Sequence, residues 1–361
     1  MKGDDPRPVA VLGAGPAGLA TAAALLRRGV PCTVLERGHT PAAALRRVDP
    51  EMEMLSPTRL SLLRGMEHRP GDPRYLTFRD FVVRLDAFAA RMGVTVHTGR
   101  EVTEVARDGA GFRVRWRGPA GEPGEPGELA ASAVVNATGM IGSPRLPAGF
   151  APGEAGYRWK HSLDVRTADL EGVRRLLVVG GGASAAEVLE RWLQVRPPDG
   201  HAWMALRSRL RVLPRTVLGI DGHYLGWLPE HLPAYLLGER GADWPEPMLS
   251  AEVPRAIGRG LIETVPALRA CAGAAVELVD GRRLEAELVV FATGFRYETR
   301  HLGALIARDA EGRPLANACR STVDPGVWML GTRFARSFAS PYVRGIARDA
   351  EYVADRIAAA R

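Results

Sequence analysis

The stretch Val9-Ala-Val-Leu-Gly-Ala-Gly-Pro-Ala-Gly18 decides the fold of this 361-residue chain. Its apolar start predicts a buried parallel strand, and its glycines have the G-x-G-x-x-G spacing of a dinucleotide-binding loop. In such a loop Gly13 permits the tight turn, Gly15 lets a pyrophosphate approach the backbone, and Gly18 lets the helix pack on the strand. The helix that follows offers free N–H groups and positive charge to phosphates.

The next residues complete a βαβ unit. Residues 19–28 are rich in Ala and Leu and predict a helix, and Cys32–Glu36 predicts the second strand. Glu36 can accept hydrogen bonds from the ribose hydroxyls of an adenine dinucleotide, which we predict to be FAD. A glycine-rich turn without a ligand is the alternative. The predicted FAD-binding residues are Gly13, Gly15, Pro16, Ala17, Gly18, Glu36, Arg37, Thr138 and Gly139.

A second unit of the same kind starts at the predicted strand Arg175–Val179. The loop Gly180-x-Gly182-x-x-Ala185 follows, then a helix over residues 186–195 and a strand over Ala202–Leu206. Where the first unit has an acidic residue, this one has Arg207 and Arg209, whose guanidinium groups suit a 2′-phosphate. We therefore predict NADPH here, with two solvated surface arginines as the alternative. The predicted NADPH-binding residues are Gly180, Gly182, Ala183, Ser184, Ala185, Arg207 and Arg209; the Ser184 hydroxyl would bind a phosphate or cap the helix.

Two Ala-Thr-Gly turns flank the second unit. Ala137-Thr-Gly139 ends the predicted strand Ala133–Asn136, and Ala292-Thr293-Gly294 ends the predicted strand Leu288–Phe291. Their small residues would let the chain pass close to cofactors and cross between domains. We predict an α/β protein of two Rossmann-like dinucleotide-binding domains. The NADPH domain, residues 143–274, is inserted into a discontinuous FAD domain, residues 1–142 and 275–361.

Other segments are less regular. Residues 77–92 have helical periodicity with Thr77 as the N-cap, and residues 118–127 suggest a flexible hairpin loop. The stretch Leu213–Pro254 is rich in Pro, Gly and Trp and lacks clear periodicity, which is typical of functional loops. Its candidate substrate-pocket residues, unless the loop is an ordinary packed one, are His223, Tyr224, Trp227 and Trp244.

Composition excludes several classes of protein. The net charge is +7, but the basic residues are scattered and almost all arginine, so we expect no nucleic-acid partner. Cys32, Cys271 and Cys319 lack pairing or Cys-x-x-Cys spacing, which argues against disulfides and a zinc site. The apolar stretch Val9–Leu26 is broken by glycines and is not a membrane span. We expect a cytoplasmic protein without membrane attachment, and leave its oligomeric state open, with a homodimer as one option.

The motif order resembles that of the class B flavin monooxygenases among the two-dinucleotide-binding flavoproteins. The resemblance covers almost the whole chain and is carried by Gly13–Gly18, Glu36, Ala137–Gly139, His161-Ser162, Gly180–Ala185, Ala292–Gly294 and Ser340–Gly345. It implies that NADPH reduces FAD and that reduced flavin and O₂ form a C4a-(hydro)peroxyflavin, which oxygenates a small molecule. It also implies that His161 lies near NADPH, a surface position being the alternative. The last helix, begun by Pro341 and Tyr342, would point at the flavin pyrimidine ring.

Three departures from related families narrow this expectation. Phe150, Gly153, Gly156 and His161 do not have F-x-G-x-x-x-H spacing, which argues against a Baeyer–Villiger enzyme. Gly331-Thr332 stands where disulfide reductases have Gly-Asp, and no redox dithiol is present. We expect N- or S-oxygenation, with the flavin performing the chemistry and no catalytic side chain identified. The alternatives are an NADPH-dependent flavin reductase without oxygen transfer and a non-catalytic electron-transfer flavoprotein.

Overall fold

A computed structural model describes residues 7–118, 126–147, 150, 157–225, 247–272 and 275–361. The helices of these residues are α1 (Pro16–Leu26), α2 (Ala43–Arg46), α3 (Phe78–Arg91), α4 (Thr167–Leu170), α5 (Ala183–Val195), α6 (Gly222–Leu225), α7 (Glu252–Gly258) and α8 (Val343–Ala360). The strands are β1 (Val9–Leu12), β2 (Cys32–Leu35), β3 (Val96–His97), β4 (Glu101–Asp108), β5 (Gly111–Arg117), β6 (Gly127–Ala131), β7 (Ala133–Asn136), β8 (Arg158–His161), β9 (Arg175–Val179), β10 (His201–Leu206), β11 (Val212–Leu213), β12 (Thr216–Val217), β13 (Ile220–Asp221), β14 (Met248–Leu249), β15 (Ile262–Pro266), β16 (Leu268–Ala272), β17 (Ala275–Leu278), β18 (Arg283–Leu284), β19 (Leu288–Phe291), β20 (Ala316–Asn317), β21 (Arg320–Ser321) and β22 (Val327–Met329).

The first sheet has the strand order β20-β21-β22-β7-β1-β2-β3. Its interior strand β1 pairs in parallel with β2 and β7, and Leu12 lies beside both Leu35 and Asn136. The carboxyl ends of these strands therefore meet at one edge, where open α/β sheets bind ligands. Helices α1, α3 and α8 share one apolar core with this sheet, and the antiparallel sheet β4-β5-β6 packs on its other face.

The second sheet is all parallel, in the order β15-β10-β9-β19-β8. Val179 at the end of β9 lies beside Ala205 of β10 and Phe291 of β19. Apolar residues of α5 and α7 cover one face, and the small sheet β16-β17-β18 covers the other. The four-residue strand β19 is buried at every position, as a parallel strand covered on both faces must be.

The predicted α/β class with two Rossmann-like units is confirmed, but one predicted boundary is wrong. Placing the return to the first unit at residue 275 assigned β19 to the FAD domain. Strand β19 instead pairs with β9 and β8 in the second sheet. Strands β7 and β19 are both followed by Ala-Thr-Gly, so the local sequence does not show which sheet each strand joins. Only the strand pairing distinguishes them. We now propose that the inserted unit runs to Phe291.

Most predicted elements lie within two or three residues of the observed ones. Thr77 caps α3 as expected, with its side chain accepting a hydrogen bond from the Asp80 N–H. Strands β5 and β6 pair as an antiparallel hairpin, although residues 119–125 of the predicted loop lie outside the described residues. The predicted irregular stretch contains the β12-β13 hairpin, α6, β14 and the start of α7; its residues 226–246 are likewise not described.

Candidate active site

The first glycine loop is closely packed on one side and open on the other. Gly13 has φ +96°, and a Cβ built there would lie 2.8 Å from the carbonyl oxygen of Ala137. A Cβ at Gly18 would overlap the carbonyl of Gly13, whereas one at Gly15 would meet no atom within 4 Å. Gly13 and Gly18 are therefore required by the fold. The space beside Gly15 fits a ligand that approaches the backbone, such as a pyrophosphate.

Helix α1 begins at this open space. Gly15 is its N-cap, Pro16 its first residue, and no side chain caps the free N–H groups. The Pro16 ring removes one N–H that would have lacked a partner in any case. Ala17 is buried in the first turn. An uncapped amino terminus beside an open space is suited to an anion.

Glu36 lies at the same loop. Its Oε2 accepts a hydrogen bond from the Ala14 N–H at 2.7 Å, and its Oε1 accepts one from the Gly38 N–H at 2.9 Å. The neighbouring Arg37 is exposed and donates from Nη2 to the Gly142 carbonyl at 3.0 Å. The carboxylate is thus fixed against the glycine loop, where a ribose bound with its pyrophosphate in the loop would lie.

The second loop repeats this geometry. A Cβ at Gly180, which has φ +132°, would overlap the carbonyl of Ala292, whereas one at Gly182 would meet no atom within 4 Å. Gly182 is the uncapped N-cap of α5, so Ser184 occupies the second helical position rather than the cap. Ala185 is fully buried under the turn. This loop therefore also fits a dinucleotide pyrophosphate.

Arg207 and Arg209 directly follow β10, at the carboxyl edge of the second sheet. Both are exposed, and neither forms an ion pair or hydrogen bond within the described parts of the chain. Two cations without an acidic partner, just after the strand next to the one that leads into the glycine loop, could accept a phosphate.

The second Ala-Thr-Gly turn meets the segment that follows the first one, where the chain passes between the units. The Arg145 N–H donates to the Gly294 carbonyl at 2.9 Å, and the Arg296 N–H donates to the Ser143 carbonyl at 2.9 Å. The Thr293 hydroxyl donates to the Arg145 carbonyl. The two connecting segments therefore run side by side as a paired crossing.

Thr138 and His161 are both placed at this crossing. The Thr138 hydroxyl lies 3.2 Å from Asn136 Oδ1 and 3.3 Å from the Glu298 carbonyl. His161 is 3% exposed, which excludes the surface alternative. Its Nδ1 accepts from the Leu163 N–H at 3.2 Å, so Nε2 carries the proton and donates to the Gly294 carbonyl at 3.1 Å. Burial lowers the pKa of His161 although that carbonyl opposes the shift, so the ring is neutral at pH 7.

The amino terminus of α8 lies beside that of α1. A Cβ at Gly331 would lie 3.5 Å from Ala17 and 4.0 Å from Ile346, so the first turns of the two helices flank this glycine. Helix α8 begins at Val343, two residues later than the predicted start at Pro341, and the side chain of its N-cap Tyr342 forms no capping hydrogen bond. An uncapped helix terminus here stabilises negative charge.

Sequence reasoning missed two polar clusters between the units. In the first, Arg191 of α5 donates to Asp49 at 2.8 Å, with the two side chains only 12% and 6% exposed. In the second, the Tyr75 hydroxyl donates to the buried Asp221, and Arg215 stacks on the Tyr75 ring with 3.7 Å to the ring centroid. These partners are far apart in sequence, so no local pattern could have revealed them.

The predicted substrate-pocket residues have different positions. His223 is buried, and its Nδ1 lies 2.7 Å from Asp221 Oδ1, whereas the Tyr224 side chain is exposed. Trp227 and Trp244 lie outside the described residues, as do Gly153 and Gly156. Among the residues described, no helix is long and apolar enough to cross a bilayer.

Two glycine loops, each opening an uncapped helix terminus, and a paired crossing define a two-dinucleotide-binding oxidoreductase. The family model "Pyridine nucleotide-disulphide oxidoreductase" matches residues 10–194. The indole-3-pyruvate monooxygenase YUCCA1 of Oryza sativa subsp. japonica is 30% identical over 349 residues, covering 86% of this chain and 83% of the relative. An oxidoreductase described as CzcO-like from Geobacillus kaustophilus is 24% identical and covers 97% of each chain.

Solved structures agree with the fold. A flavin-containing monooxygenase from Stenotrophomonas maltophilia superposes with a TM-score of 0.78 at 22% identity, covering 98% of each chain. The bacillithiol disulfide reductase of Bacillus cereus superposes with a TM-score of 0.74 at 18% identity, covering 98% of this chain and 99% of the other.

The chain belongs to the pyridine nucleotide-disulphide oxidoreductase family, among its flavin-dependent monooxygenases. It is therefore an oxidoreductase, which excludes the non-catalytic alternative, and its cofactors are FAD and NADPH. Small-molecule substrates and O₂ are the co-reactants of such enzymes.

Proposed function

We propose that this enzyme uses NADPH, FAD and O₂ to oxygenate a nitrogen or sulfur atom of a small molecule. The observation that carries the proposal is the pairing of two dinucleotide loops through one crossing, in a chain without a dithiol. Electrons from a nicotinamide in the second unit then have a flavin in the first unit as acceptor, and O₂ as the next acceptor.

FAD is assigned to the first unit. Gly13, Gly15, Pro16, Ala17 and Gly18 would receive its pyrophosphate at the open side of the loop. The Glu36 carboxylate would exchange its bond to a backbone N–H for the ribose hydroxyls. Bound FAD supplies the redox chemistry, and the residues named here bind and orient it.

The remaining cofactor contacts follow from the same geometry. Arg37 fixes the Gly142 carbonyl beside the loop, and Thr138 and Gly139 would line the flavin side of the crossing. The terminus of α8 at Pro341 and Tyr342 would face the flavin pyrimidine ring, where its dipole stabilises negative charge.

NADPH is assigned to the second unit. Gly180, Gly182, Ala183, Ser184 and Ala185 would hold its pyrophosphate. Arg207 and Arg209 would bind the 2′-phosphate with charge-assisted hydrogen bonds. Thr293, Gly294 and the neutral His161 would lie beside the nicotinamide end, where the crossing joins the two units.

The cysteines support oxygen rather than a protein disulfide as electron acceptor. All three are free thiols. Burial raises the pKa of Cys32 to about 11 and that of Cys271 above its usual value. Burial, with Asp349 nearby, also raises the pKa of Cys319 well above its usual value. A free thiol is already reduced, so it cannot take electrons from the flavin as a disulfide would, and a thiol that keeps its proton is a poor nucleophile.

A second candidate substrate class is a 2-oxo acid. Several plant relatives are named indole-3-pyruvate monooxygenases. Oxygenation of such a substrate begins at a carbonyl carbon rather than at nitrogen or sulfur. A substrate panel therefore needs a tertiary amine, a thioether and indole-3-pyruvate.

The deciding experiment mixes anaerobically NADPH-reduced enzyme with O₂ in a stopped-flow spectrometer. We expect a flavin transient distinct from both the oxidised and the reduced spectra, followed by transfer of one ¹⁸O atom from ¹⁸O₂ to a panel member. One-step reoxidation with every NADPH recovered as hydrogen peroxide, whichever panel member is present, would establish the reductase alternative instead.

A further inference from the structure

We propose that Glu187, in the cleft between the two units, holds the proton that each turnover consumes and passes it from solvent into the cleft. The proposal rests on the proposed function, whose balance is NADPH + H⁺ + O₂ + S → NADP⁺ + SO + H₂O for a substrate S. One proton must therefore enter from solvent in every cycle.

The position of Glu187 is fixed by two contacts that bridge the units. Glu187 and Arg191 are four residues apart on α5 and share one face of the helix. Arg191 reaches Asp49 of the first unit from this face. Arg215 lies near enough to Glu187 to act on its charge, and its Nη2 donates to the carbonyls of Met54 and Leu55. Glu187 thus lies between the two bridges.

Glu187 also lies close to the second dinucleotide loop. It is five residues after Gly182, the N-cap at which the second dinucleotide loop opens. Five residues of α-helix rise about 7.5 Å, so the carboxyl is within reach of a cofactor held by that loop.

The carboxyl of Glu187 has no direct partner. Within the described residues, no group donates a hydrogen bond to it. The Arg191 guanidinium is engaged by Asp49 and by the Val165 carbonyl at 3.2 Å. A partly buried carboxyl without a donor binds a proton more readily than an exposed one.

The burial of Glu187 and the charged groups around it set the pKa of its carboxyl. Burial raises the pKa of Glu187 to about 7; Glu190 adds to the shift, and Arg191 and Arg215 oppose it. Glu190 is itself bonded by the Ser250 hydroxyl and influenced by Glu252 of α7.

Two further charged groups of the cleft have hydrogen-bond partners other than Glu187. Arg166 donates to the Val48 carbonyl, and Asp49 accepts from the Thr167 N–H at 2.9 Å. Glu187 is therefore a carboxyl of this cleft that can gain and lose a proton near neutral pH.

The first test measures thermal stability of the FAD-loaded enzyme against pH for Glu187→Gln. Because the folded-state pKa is raised, the native protein holds an extra proton between pH 4.5 and about 7, and its stability falls as pH rises through that window. The Gln variant lacks this loss. Its Tm relative to the unmodified enzyme should therefore rise from pH 5 to pH 8.

The matched control is Glu285→Gln, whose carboxylate is 77% exposed in the second unit. Its Tm difference should stay constant over the same range. A constant difference for Glu187→Gln as well would overturn the proposal.

The second test follows NADPH oxidation against pH. We expect the rate of the unmodified enzyme to fall above about pH 7, and that of Glu187→Gln to be roughly a hundredfold lower and flat. Glu187→Asp keeps a titrating carboxyl, so its NADPH oxidation rate should still fall above about pH 7. This variant also tests the proposal if Glu187→Gln fails to fold. An unchanged pH profile in Glu187→Gln, or a flat one in Glu187→Asp, would overturn the role of Glu187.

The monooxygenase function and the proton-transfer role of Glu187 can be rejected independently of each other. Without ¹⁸O transfer, reduction of O₂ to hydrogen peroxide by NADPH still consumes one proton, so a pH-dependent rate of NADPH oxidation that is lost in Glu187→Gln would keep the role of Glu187 and reject the monooxygenase. If ¹⁸O were transferred but the Tm difference did not change with pH, the monooxygenase would stand and the role of Glu187 would be rejected.

Discussion

The backbone of Gly180 lies so close to the carbonyl of Ala292 that no side chain fits between them. Gly13 has the same relationship to Ala137 in the other unit. Each glycine loop is thus packed against the Ala-Thr-Gly turn of the strand beside it. The consequence is that the first glycine of each loop is required by the fold, whereas the middle glycine leaves open space for the ligand that we propose.

Gly15→Val should abolish FAD retention while leaving the apoprotein folded. The new side chain enters open space in the protein but occupies the approach of the pyrophosphate. Flavin absorbance after gel filtration measures retention, and circular dichroism measures folding. Gly13→Val is the contrasting variant and should lose folded protein itself, because its φ is +96° and Ala137 blocks its Cβ. Full FAD occupancy in Gly15→Val would show that the loop is not the binding site.

Replacing Arg207 and Arg209 together by Ala should raise the KM for NADPH and leave that for NADH nearly unchanged. A hydrogen bond to a charged group contributes about 1.5–3 kcal/mol, so each arginine is worth on the order of tenfold to a hundredfold in selectivity. Steady-state flavin reduction with both coenzymes measures this. Arg259→Ala, an exposed arginine of the same unit, is the control. Equal losses for NADPH and NADH would place the phosphate site elsewhere.

His301 should make the protein lose stability in mild acid. Its Nε2 lies 3.0 Å from Asn136 Oδ1, and burial, with the charge of Arg308, lowers its pKa to about 4. The unfolded chain takes up the proton below pH 6.5, so stability falls between pH 6.5 and 4, by at most about 3 kcal/mol. His301→Gln keeps a donor but cannot titrate, and its urea-unfolding free energy should depend less on pH in this window. Parallel curves for the two proteins would contradict this assignment.

Tyr75→Phe should weaken the attachment of residues 213–225 to the first unit. It removes the hydroxyl that donates to Asp221 but keeps the ring on which Arg215 stacks. We expect a loss of about 1.5–3 kcal/mol in unfolding free energy. Tyr224→Phe alters an exposed hydroxyl and should cost almost nothing. If both variants were equally stable, Asp221 would not depend on Tyr75.

Local patterns explain what could be predicted from the sequence. The loops at Gly13 and Gly180 were recognisable because the turn, the strand before it and the helix after it lie within a few residues. The boundary at 275 and the start of α8 at Pro341 were misplaced because strand partners and the exact capping residue are set by tertiary contacts.

The cleft between the units could not be predicted in the same way. Asp49 and Arg191 are 142 residues apart in sequence, and Tyr75 and Asp221 are 146 apart. Glu187 has the sequence context of an ordinary surface residue of an amphipathic helix. Its environment depends on Arg215, which lies beyond the next strand, and on how the two units close upon each other.

The paired crossing at Arg145 and Gly294 has a consequence for how such proteins diversify. Because the chain enters and leaves the inserted unit at neighbouring points, that unit can be exchanged without rerouting the rest of the polypeptide. Recombination at these two points would replace one coenzyme preference by another and keep the flavin site intact. The crossing is accordingly the natural junction for chimaeras between this chain and its relatives.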